Sequence, residues 1–174
     1  MFLVAGILMS KLIGVMGESG AGKSTSLRNL DPATTYIIDA DKKGLSWKGW
    51  KNQYNSGNRN YIATDDPNTI RSLCRNINEK ASHIKTLVID TLNGIMVADE
   101  MRRSKEKGFD KWQDLASCVW GIVDDCLKFR EDLTVIFICH SQTDMNENGY
   151  LWTRIKTSGK KLDKIVLESK FNTV

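Results

Sequence analysis

The sequence predicts an α/β fold, a three-layer α/β/α arrangement in which helices cover both faces of a mainly parallel sheet. Short apolar runs typical of buried parallel strands recur along the chain, and segments with helical spacing of apolar residues separate them. A glycine-rich turn follows the first apolar run and precedes a helical segment, which is the order of a strand–turn–helix unit. The length of 174 residues suits one compact domain with a substantial core.

The apolar pattern predicts the individual elements. Strands are expected at residues 12–16, 36–39, 86–90 and 133–139, and the last run, being the most hydrophobic, is expected to be central. Helices are expected at residues 23–30, from Pro67 onward after an N-cap at Asp66, at 95–101 and at 111–130. The last helix has an apolar stripe that we expect to be core: Trp112, Leu115, Val119, Val123, Cys126 and Leu127. The polar stretch at residues 41–64 is expected to be a loop.

The cysteines and the N-terminal residues indicate a cytoplasmic protein without a membrane segment. The four cysteines lie far apart without a CxxC pair, which favours buried thiols of a reducing compartment over a zinc site or disulfides. The apolar run at residues 2–8 lacks preceding basic residues and is much shorter than the roughly 20 residues needed to span a bilayer. Met9 is an alternative start, which would make residues 1–10 an extension and residues 11–174 a single domain.

The strongest functional motif is the glycine-rich turn at residues 17–24. It matches G-x-x-x-x-G-K-[ST] in full, between a predicted strand and a predicted helix. Backbone N–H groups of such a loop point at phosphates, next to the positive end of the helix. Lys23 is expected to reach the β- and γ-phosphates of ATP, and Ser24 to bind Mg2+. The expected ATP-binding residues are Gly17, Glu18, Ser19, Gly20, Ala21, Gly22, Lys23, Ser24 and Thr25.

A second candidate is Asp90, the last residue of the apolar run at 86–90. Ligands collect beyond the carboxyl ends of strands in open α/β sheets, and phosphoryl-transfer sites pair the phosphate loop with such a carboxylate. Asp90 is therefore expected to bind Mg2+ together with Ser24.

The order of these segments resembles the RecA-type core of P-loop ATPases, in particular the short phage RecA-like proteins associated with single-strand annealing and recombination. The resemblance covers residues 12–174 and implies ATP hydrolysis. It places Asp41 at the position of a catalytic glutamate that activates water. Because aspartate is one methylene shorter, slow or partner-stimulated hydrolysis is implied. The alternative is a solvated loop carboxylate beside Lys42 and Lys43.

The same resemblance assigns a role to His140, at the end of the run 135–139. In the family a polar residue at this position senses the γ-phosphate, and Gln142 is a nearby substitute. A hydrogen-bonded surface histidine is the alternative. The family continues into further strands where this chain ends, so the resemblance implies a truncated or minimal core.

The positive charge of the chain is concentrated near its C-terminal end. Residues 154–174 contain six Lys or Arg against two Asp or Glu, whereas residues 1–153 balance at nineteen each. Residues 157–162 resemble the RecA stretch that closes the second DNA-binding loop. The candidate contacts to single-stranded DNA are Arg154, Lys156, Lys160 and Lys161.

The residues near the C-terminal end have alternative interpretations. Tyr150 and Trp152 alternate with basic residues, a pattern that fits either stacking on bases or an edge β-ribbon. A solvated basic helix face is the other interpretation of the lysines.

Three functions remain open at this point. The first is a DNA-stimulated ATPase of phage recombination, and the second a nucleotide-dependent switch acting through a protein partner. A small-molecule kinase is disfavoured, because such kinases carry an arginine-rich lid and only Arg154 follows Cys139. The expected partners are ATP, single-stranded DNA, and either further copies of this chain or a phage recombination or replication protein.

Overall fold

The computed structural model describes residues 9–106, 109–145, 147–157 and 166–174. The strands are β1 (Lys11–Gly17), β2 (Thr35–Asp39), β3 (Tyr61–Ala63), β4 (Thr86–Asp90), β5 (Thr134–Met145) and β6 (Leu151–Ile155). The α-helices are α1 (Lys23–Ser26), α2 (Trp50–Gln53), α3 (Pro67–Lys80), α4 (Leu92–Arg102) and α5 (Phe109–Leu127). Short 3-10 turns lie at Leu27–Asn29 and Leu167–Lys170.

The sheet brings four loops to one edge of the molecule. Its strands are hydrogen-bonded in the order β1, β5, β4, β2, β3, and all these neighbours run parallel. Gly17 at the end of β1 lies opposite His140 of β5, and Asp39 of β2 lies opposite Asp90 of β4. Because the carboxyl ends of parallel strands share an edge, the loops that follow them converge there.

Apolar residues cover both faces of the sheet, as the predicted three-layer fold requires. On one face, strand residues such as Leu87 and Phe137 pack with α3, α4 and α5. On the other face, alternate strand residues such as Ile37 and Val88 pack with Leu27 and with the segment around α2. Since side chains alternate along a strand, a strand buried on both faces must be apolar throughout. The α/β/α prediction is therefore confirmed.

Helix α3 follows directly from its local sequence. The Asp66 carboxylate accepts a hydrogen bond from the Thr69 N–H at 2.7 Å, and Pro67 occupies the first turn, where its missing N–H costs nothing. Ile70, Cys74 and Ile77 recur on one face and are buried against the core. The prediction for this helix is confirmed.

The segment at residues 41–64 is more structured than predicted. It contains α2 and β3, so the strand at Thr86–Asp90 is the fourth along the chain rather than the third. Elements of four and three residues are too short to show periodicity in a polar stretch. Tyr54 anchors the segment, being fully buried and donating its hydroxyl hydrogen to the Leu30 carbonyl at 3.1 Å.

Strand β5 is also longer than predicted. It continues beyond Cys139 to Met145 and pairs antiparallel with β6, so the two form a ribbon that leaves the main sheet. The extension contains polar residues such as Gln142 and Thr143, so a prediction based on apolar runs ends at Cys139. The first half of β5 lies between β1 and β4, in the interior of the sheet as expected.

The two ends of the described chain pack against the core. Ser10, placed in the N-terminal extension by the sequence, is buried and donates a hydrogen bond to the Cys126 carbonyl. Thr173 runs parallel beside β1, accepting a hydrogen bond from the Gly14 N–H at 2.8 Å. All four cysteines are free, and Cys74, Cys126 and Cys139 are buried, in agreement with the predicted thiols. Among the described helices, none combines the length and hydropathy needed to cross a membrane.

Candidate functional site

The glycine-rich loop connects β1 to α1 at the shared edge of the sheet. Gly20 and Gly22 have φ angles of +82° and +84°, a backbone region that side-chain-bearing residues rarely adopt. These two glycines let the loop curl back over the start of α1. The loop geometry agrees with the one expected from the motif, in which backbone N–H groups face an anion.

Lys23 lies under this loop and is only 9% exposed. Its ammonium group donates hydrogen bonds to the carbonyl oxygens of Gly17, at 2.9 Å, and Glu18, at 2.6 Å. Burial lowers the pKa of Lys23, and the negative charge of Asp90 opposes that effect. Because its hydrogen-bond partners are uncharged carbonyls, the lysine can exchange them for phosphate oxygens at little cost.

Ser24 and Asp90 meet although they are far apart in the sequence. The Ser24 hydroxyl donates a hydrogen bond to Oδ2 of Asp90 at 2.6 Å. Asp90 is 1% exposed, and burial raises the pKa of its carboxyl group. Its other oxygen, Oδ1, is buried and has no hydrogen-bond partner within the described residues. A buried carboxylate oxygen without a partner is costly unless a cation or donor satisfies it.

These two side chains fit a magnesium ion. Mg2+ prefers oxygen ligands and is usually held by one or two protein groups together with phosphate oxygens and water. Ser24 Oγ and the free Asp90 Oδ1 are ligands of that kind. Within the described ranges, no three His, Cys, Asp or Glu side chains form a group that could hold a metal by themselves. A cation bound at Ser24 and Asp90 would therefore need the nucleotide phosphates and water as its other ligands.

Asp41 is held in place by two neighbours instead of pointing freely into solvent. Its Oδ1 accepts a hydrogen bond from the Thr91 hydroxyl at 2.9 Å, and its Oδ2 pairs with the Lys43 ammonium group at 2.5 Å. Thr91 also caps α4, accepting a hydrogen bond from the Gly94 N–H at 3.0 Å. The first turn of the helix thus fixes the carboxylate beside Asp90, whose backbone carbonyl accepts a hydrogen bond from the Ala40 N–H.

Because Gly94 has no side chain, the Asp41 carboxylate has space to lie beside Thr91. A Cβ atom at Gly94 would collide with Oδ1 of Asp41 and would lie 3.1 Å from the Ala40 carbonyl oxygen. Any side chain at this position would therefore push Asp41 away from Thr91. The glycine is inside a helix, where it is otherwise unfavourable.

His140, the residue predicted to sense the γ-phosphate, lines cavities together with residues of the glycine-rich loop. Its backbone N–H donates to Oδ1 of Asn93 at 2.7 Å, and the Asn93 amide donates to the Lys156 carbonyl. Burial lowers the pKa of His140, and the nearby charge of Lys23 lowers it further, whereas Asp41 opposes these effects. Gln142 instead donates its amide hydrogen to Asp144, at 3.0 Å, within the ribbon.

A cavity of about 250 Å³ lies between the glycine-rich loop, Lys43 and His140. Its lining combines loop residues with side chains from three other segments: Ser19, Gly20, Gly22, Lys23, Ser24, Thr25, Lys43, Ser46, Thr91 and His140. Four of the residues that build the site were not predicted from the sequence: Lys43, Ser46, Thr91 and Asn93. Thr91 and Asn93 lie one and three residues after Asp90. Their position just beyond the strand that ends in Asp90 is the feature of the sequence that could have indicated them.

The predicted DNA-binding residues have different surroundings. Arg154 pairs with Asp144 at 2.8 Å and lies over the Trp152 ring at 5.1 Å. Lys156 is exposed and lines a second cavity together with Glu18 and His140, so it lies near the phosphate loop. Lys160 and Lys161 lie outside the described residues. The structure therefore places one predicted contact in an ion pair and another beside the candidate nucleotide site.

The fold is that of the P-loop nucleoside triphosphatases: a parallel α/β sheet with a glycine-rich loop, its lysine and serine, and a carboxylate on a nearby strand. The chain belongs to the AAA domain family, whose model matches residues 10–170. This family implies nucleotide binding. No curated protein sequence matches the chain.

Among solved structures, the chain is similar to a KaiC-like protein from the hyperthermophilic archaeon Pyrococcus horikoshii. The two sequences are 12% identical, and the TM-score is 0.46. The match covers 86% of this chain and 80% of the archaeal chain.

Proposed function

We propose that this protein is a Mg2+-dependent ATPase whose reacting groups are Lys23, Asp41, Asp90 and His140. One observation carries the proposal: the Ser24 hydroxyl is hydrogen-bonded to the buried Asp90 carboxylate, whose second oxygen has no partner within the described residues. A core of apolar side chains could fill this position at lower cost, since a buried unpaired carboxylate oxygen destabilises the fold. A function that uses the carboxylate accounts for its presence.

The roles of the residues follow from their positions. Lys23 would bind the terminal phosphates, and Ser24 with Asp90 would hold the cation. When bound, Mg2+ neutralises negative charge on the phosphate oxygens. Asp41 would orient a water molecule and accept its proton. The water oxygen then bonds to the γ-phosphorus while the bond from that phosphorus to the bridging oxygen breaks, and ADP leaves with the electron pair.

The geometry of Asp41 supports slow turnover. Both of its carboxylate oxygens already have partners, Thr91 and Lys43, at 2.9 and 2.5 Å. Hydrolysis would then depend on an event that frees Asp41, in line with the stimulated activity that the family resemblance implies.

We also propose that single-stranded DNA is the stimulating partner and that the β5–β6 ribbon contacts it. Four large apolar or aromatic side chains are exposed around its tip: Met145, Tyr150, Leu151 and Trp152. Exposed aromatic rings are the usual stacking surfaces for unpaired bases. The base of the ribbon is connected to the site, because Asn93 binds both His140 and Lys156. These contacts support a DNA transaction, such as recombination, coupled to nucleotide state.

The DNA proposal predicts a specific loss on Trp152→Ala. Wild-type ATP turnover is expected to rise on addition of single-stranded DNA, and affinity to fall with salt at a log–log slope of about −0.7 per neutralised phosphate. Removing a stacked ring is expected to weaken DNA binding by about tenfold, since base stacking contributes about 1–3 kcal/mol. Fluorescence anisotropy with a labelled oligonucleotide measures the affinity for DNA and its dependence on salt.

Met101→Ala is the control for this experiment, because Met101 is a similarly exposed apolar residue on α4. It is expected to bind DNA as the wild type does. No binding of single-stranded DNA at low salt, with or without ATP, would contradict the DNA role. The exposed apolar tip, with Met145 and Leu151, then favours the second candidate, a nucleotide-dependent switch that binds a protein partner.

A further inference from the structure

Lys43 lies between the predicted catalytic carboxylate and the phosphate loop. Its ammonium group is 2.5 Å from Oδ2 of Asp41, and its side chain is 52% exposed. The same side chain lines the cavity formed by Gly20, Lys23 and Thr25. Lys43 therefore pairs with Asp41 at the wall of the cavity that would receive the nucleotide phosphates.

The fold holds the backbone of Lys43 in place. Asp39, at the end of β2, is buried and accepts hydrogen bonds through Oδ2 from the Gly44 N–H and the Tyr61 hydroxyl, both at 2.7 Å. Gly44 has a φ of +79°, and a Cβ atom there would lie 2.8 Å from the Trp50 ring. The tight turn after β2 thus depends on these contacts, and it directs Lys43 toward the phosphate loop.

The positive charge of Lys43 affects the pKa values of two groups at the centre of the site, Lys23 and Asp90. Burial lowers the pKa of Lys23 most, and the positive charge of Lys43 lowers it further. For Asp90, burial raises the pKa of the carboxyl group while Lys43 is among the groups that oppose the rise. The cavity lining by itself places the Lys43 side chain beside an anion bound at the loop.

We propose that Lys43 is a second phosphate-binding lysine, which exchanges its pairing with Asp41 for the terminal phosphate of a nucleoside triphosphate. An exposed ion pair is weak, and a triphosphate carries more negative charge than one carboxylate, so the exchange is favourable. Asp41 then keeps its hydrogen bond to Thr91. This inference rests on the proposed ATPase function.

Lys43→Ala tests the exchange without any need for turnover. Calorimetry measures the affinity of the protein for ADP and for an ATP analogue with a β,γ-imido bridge, both with Mg2+. Wild type is expected to prefer the analogue. The variant is expected to lose about tenfold or more in affinity for the analogue, the usual effect of removing a charged hydrogen bond, and to bind ADP as before.

Lys42→Ala is a matched control, because Lys42 is also 52% exposed and also pairs at 2.5 Å with an aspartate, Asp65. Lys42 is not part of the cavity that contains Lys23. This variant is expected to behave as wild type. The inference is overturned if Lys43→Ala keeps the wild-type preference for the analogue, if its affinity for ADP falls equally, or if Lys42→Ala shows the same loss.

The outcomes separate this inference from the proposed hydrolysis. Wild type that discriminates between analogue and ADP but never cleaves ATP would contradict the ATPase function while leaving the phosphate contact of Lys43 in place. Wild type that hydrolyses ATP, with Lys43→Ala unchanged in its affinities, would contradict the contact alone.

Discussion

Replacing Lys23 by alanine is expected to abolish ATP turnover and to weaken MgATP binding by about 10- to 100-fold, while the fold stays intact. The reason is that each charge-assisted hydrogen bond to a phosphate contributes about 1.5–3 kcal/mol. Within the described part of the chain, the Lys23 ammonium group donates to two loop carbonyls, those of Gly17 and Glu18, and water can replace it as their donor. Isothermal titration calorimetry and a phosphate-release assay measure the two losses.

The control for this experiment is Lys80→Ala. Lys80 is the last residue of α3 and is exposed, so its removal changes the net charge equally without touching the site. Thermal unfolding checks that both variants fold. An unchanged MgATP affinity in Lys23→Ala would remove the argument that the glycine-rich loop binds the phosphates.

Replacing Asp41 by asparagine is expected to lower turnover by about 10² or more while nucleotide binding persists. A general base contributes about this factor, and an amide has the same shape but cannot accept the proton. Asparagine can still accept the hydrogen bond from Thr91, so the first turn of α4 is expected to remain in place. Pre-steady-state phosphate release measures the chemical step, and calorimetry with a non-hydrolysable analogue measures binding.

Asp65→Asn is the matched variant for Asp41. Asp65 has the same 18% side-chain exposure and the same 2.5 Å pairing with a lysine, but it is bonded to Lys42 and Arg102. Turnover of this variant is expected to equal that of wild type. If Asp41→Asn also turns over at the wild-type rate, Asp41 is a loop carboxylate without a chemical role.

The sequence predicted the parts of the site that form local patterns of neighbouring residues. The glycine-rich loop is contiguous, and Asp90 ends an apolar strand, so both were found without a structure. Ser24 and Asp90 are 66 positions apart, and the sequence predicted both as Mg2+ ligands, because phosphoryl-transfer sites pair a phosphate loop with such a carboxylate; it did not predict the direct hydrogen bond between them. The role of Asp41 was taken from the family resemblance and stays a prediction.

The partners that fix Asp41 could not be predicted in this way. Thr91 is 50 positions away and reaches Asp41 only because β2 and β4 are parallel neighbours with Asp39 opposite Asp90. Lys43 follows Asp41 closely in the sequence, but a turn is needed to bring its side chain back toward the loop. Long-range register and turn geometry are tertiary properties that composition and periodicity do not show.

The positive charge near the C-terminal end was a less reliable basis for predicting DNA contacts. The sequence shows the excess of Lys and Arg, but not that Arg154 pairs with Asp144 across the ribbon. An ion pair formed within the chain reduces the charge that a phosphate backbone would meet. The exposed ring of Trp152, 53% exposed, is therefore the stronger structural support for the DNA proposal.

A single-turnover measurement tests the central proposal most directly. Excess protein is mixed with radiolabelled ATP, in the presence of Mg2+ or of a chelator, so that even slow hydrolysis is detected. The account predicts that wild type converts bound ATP to ADP and phosphate only with Mg2+, and that Lys23→Ala does not. ATP that binds with Mg2+ and stays intact over many hours, with and without single-stranded DNA, would contradict an ATPase built on Ser24 and Asp90.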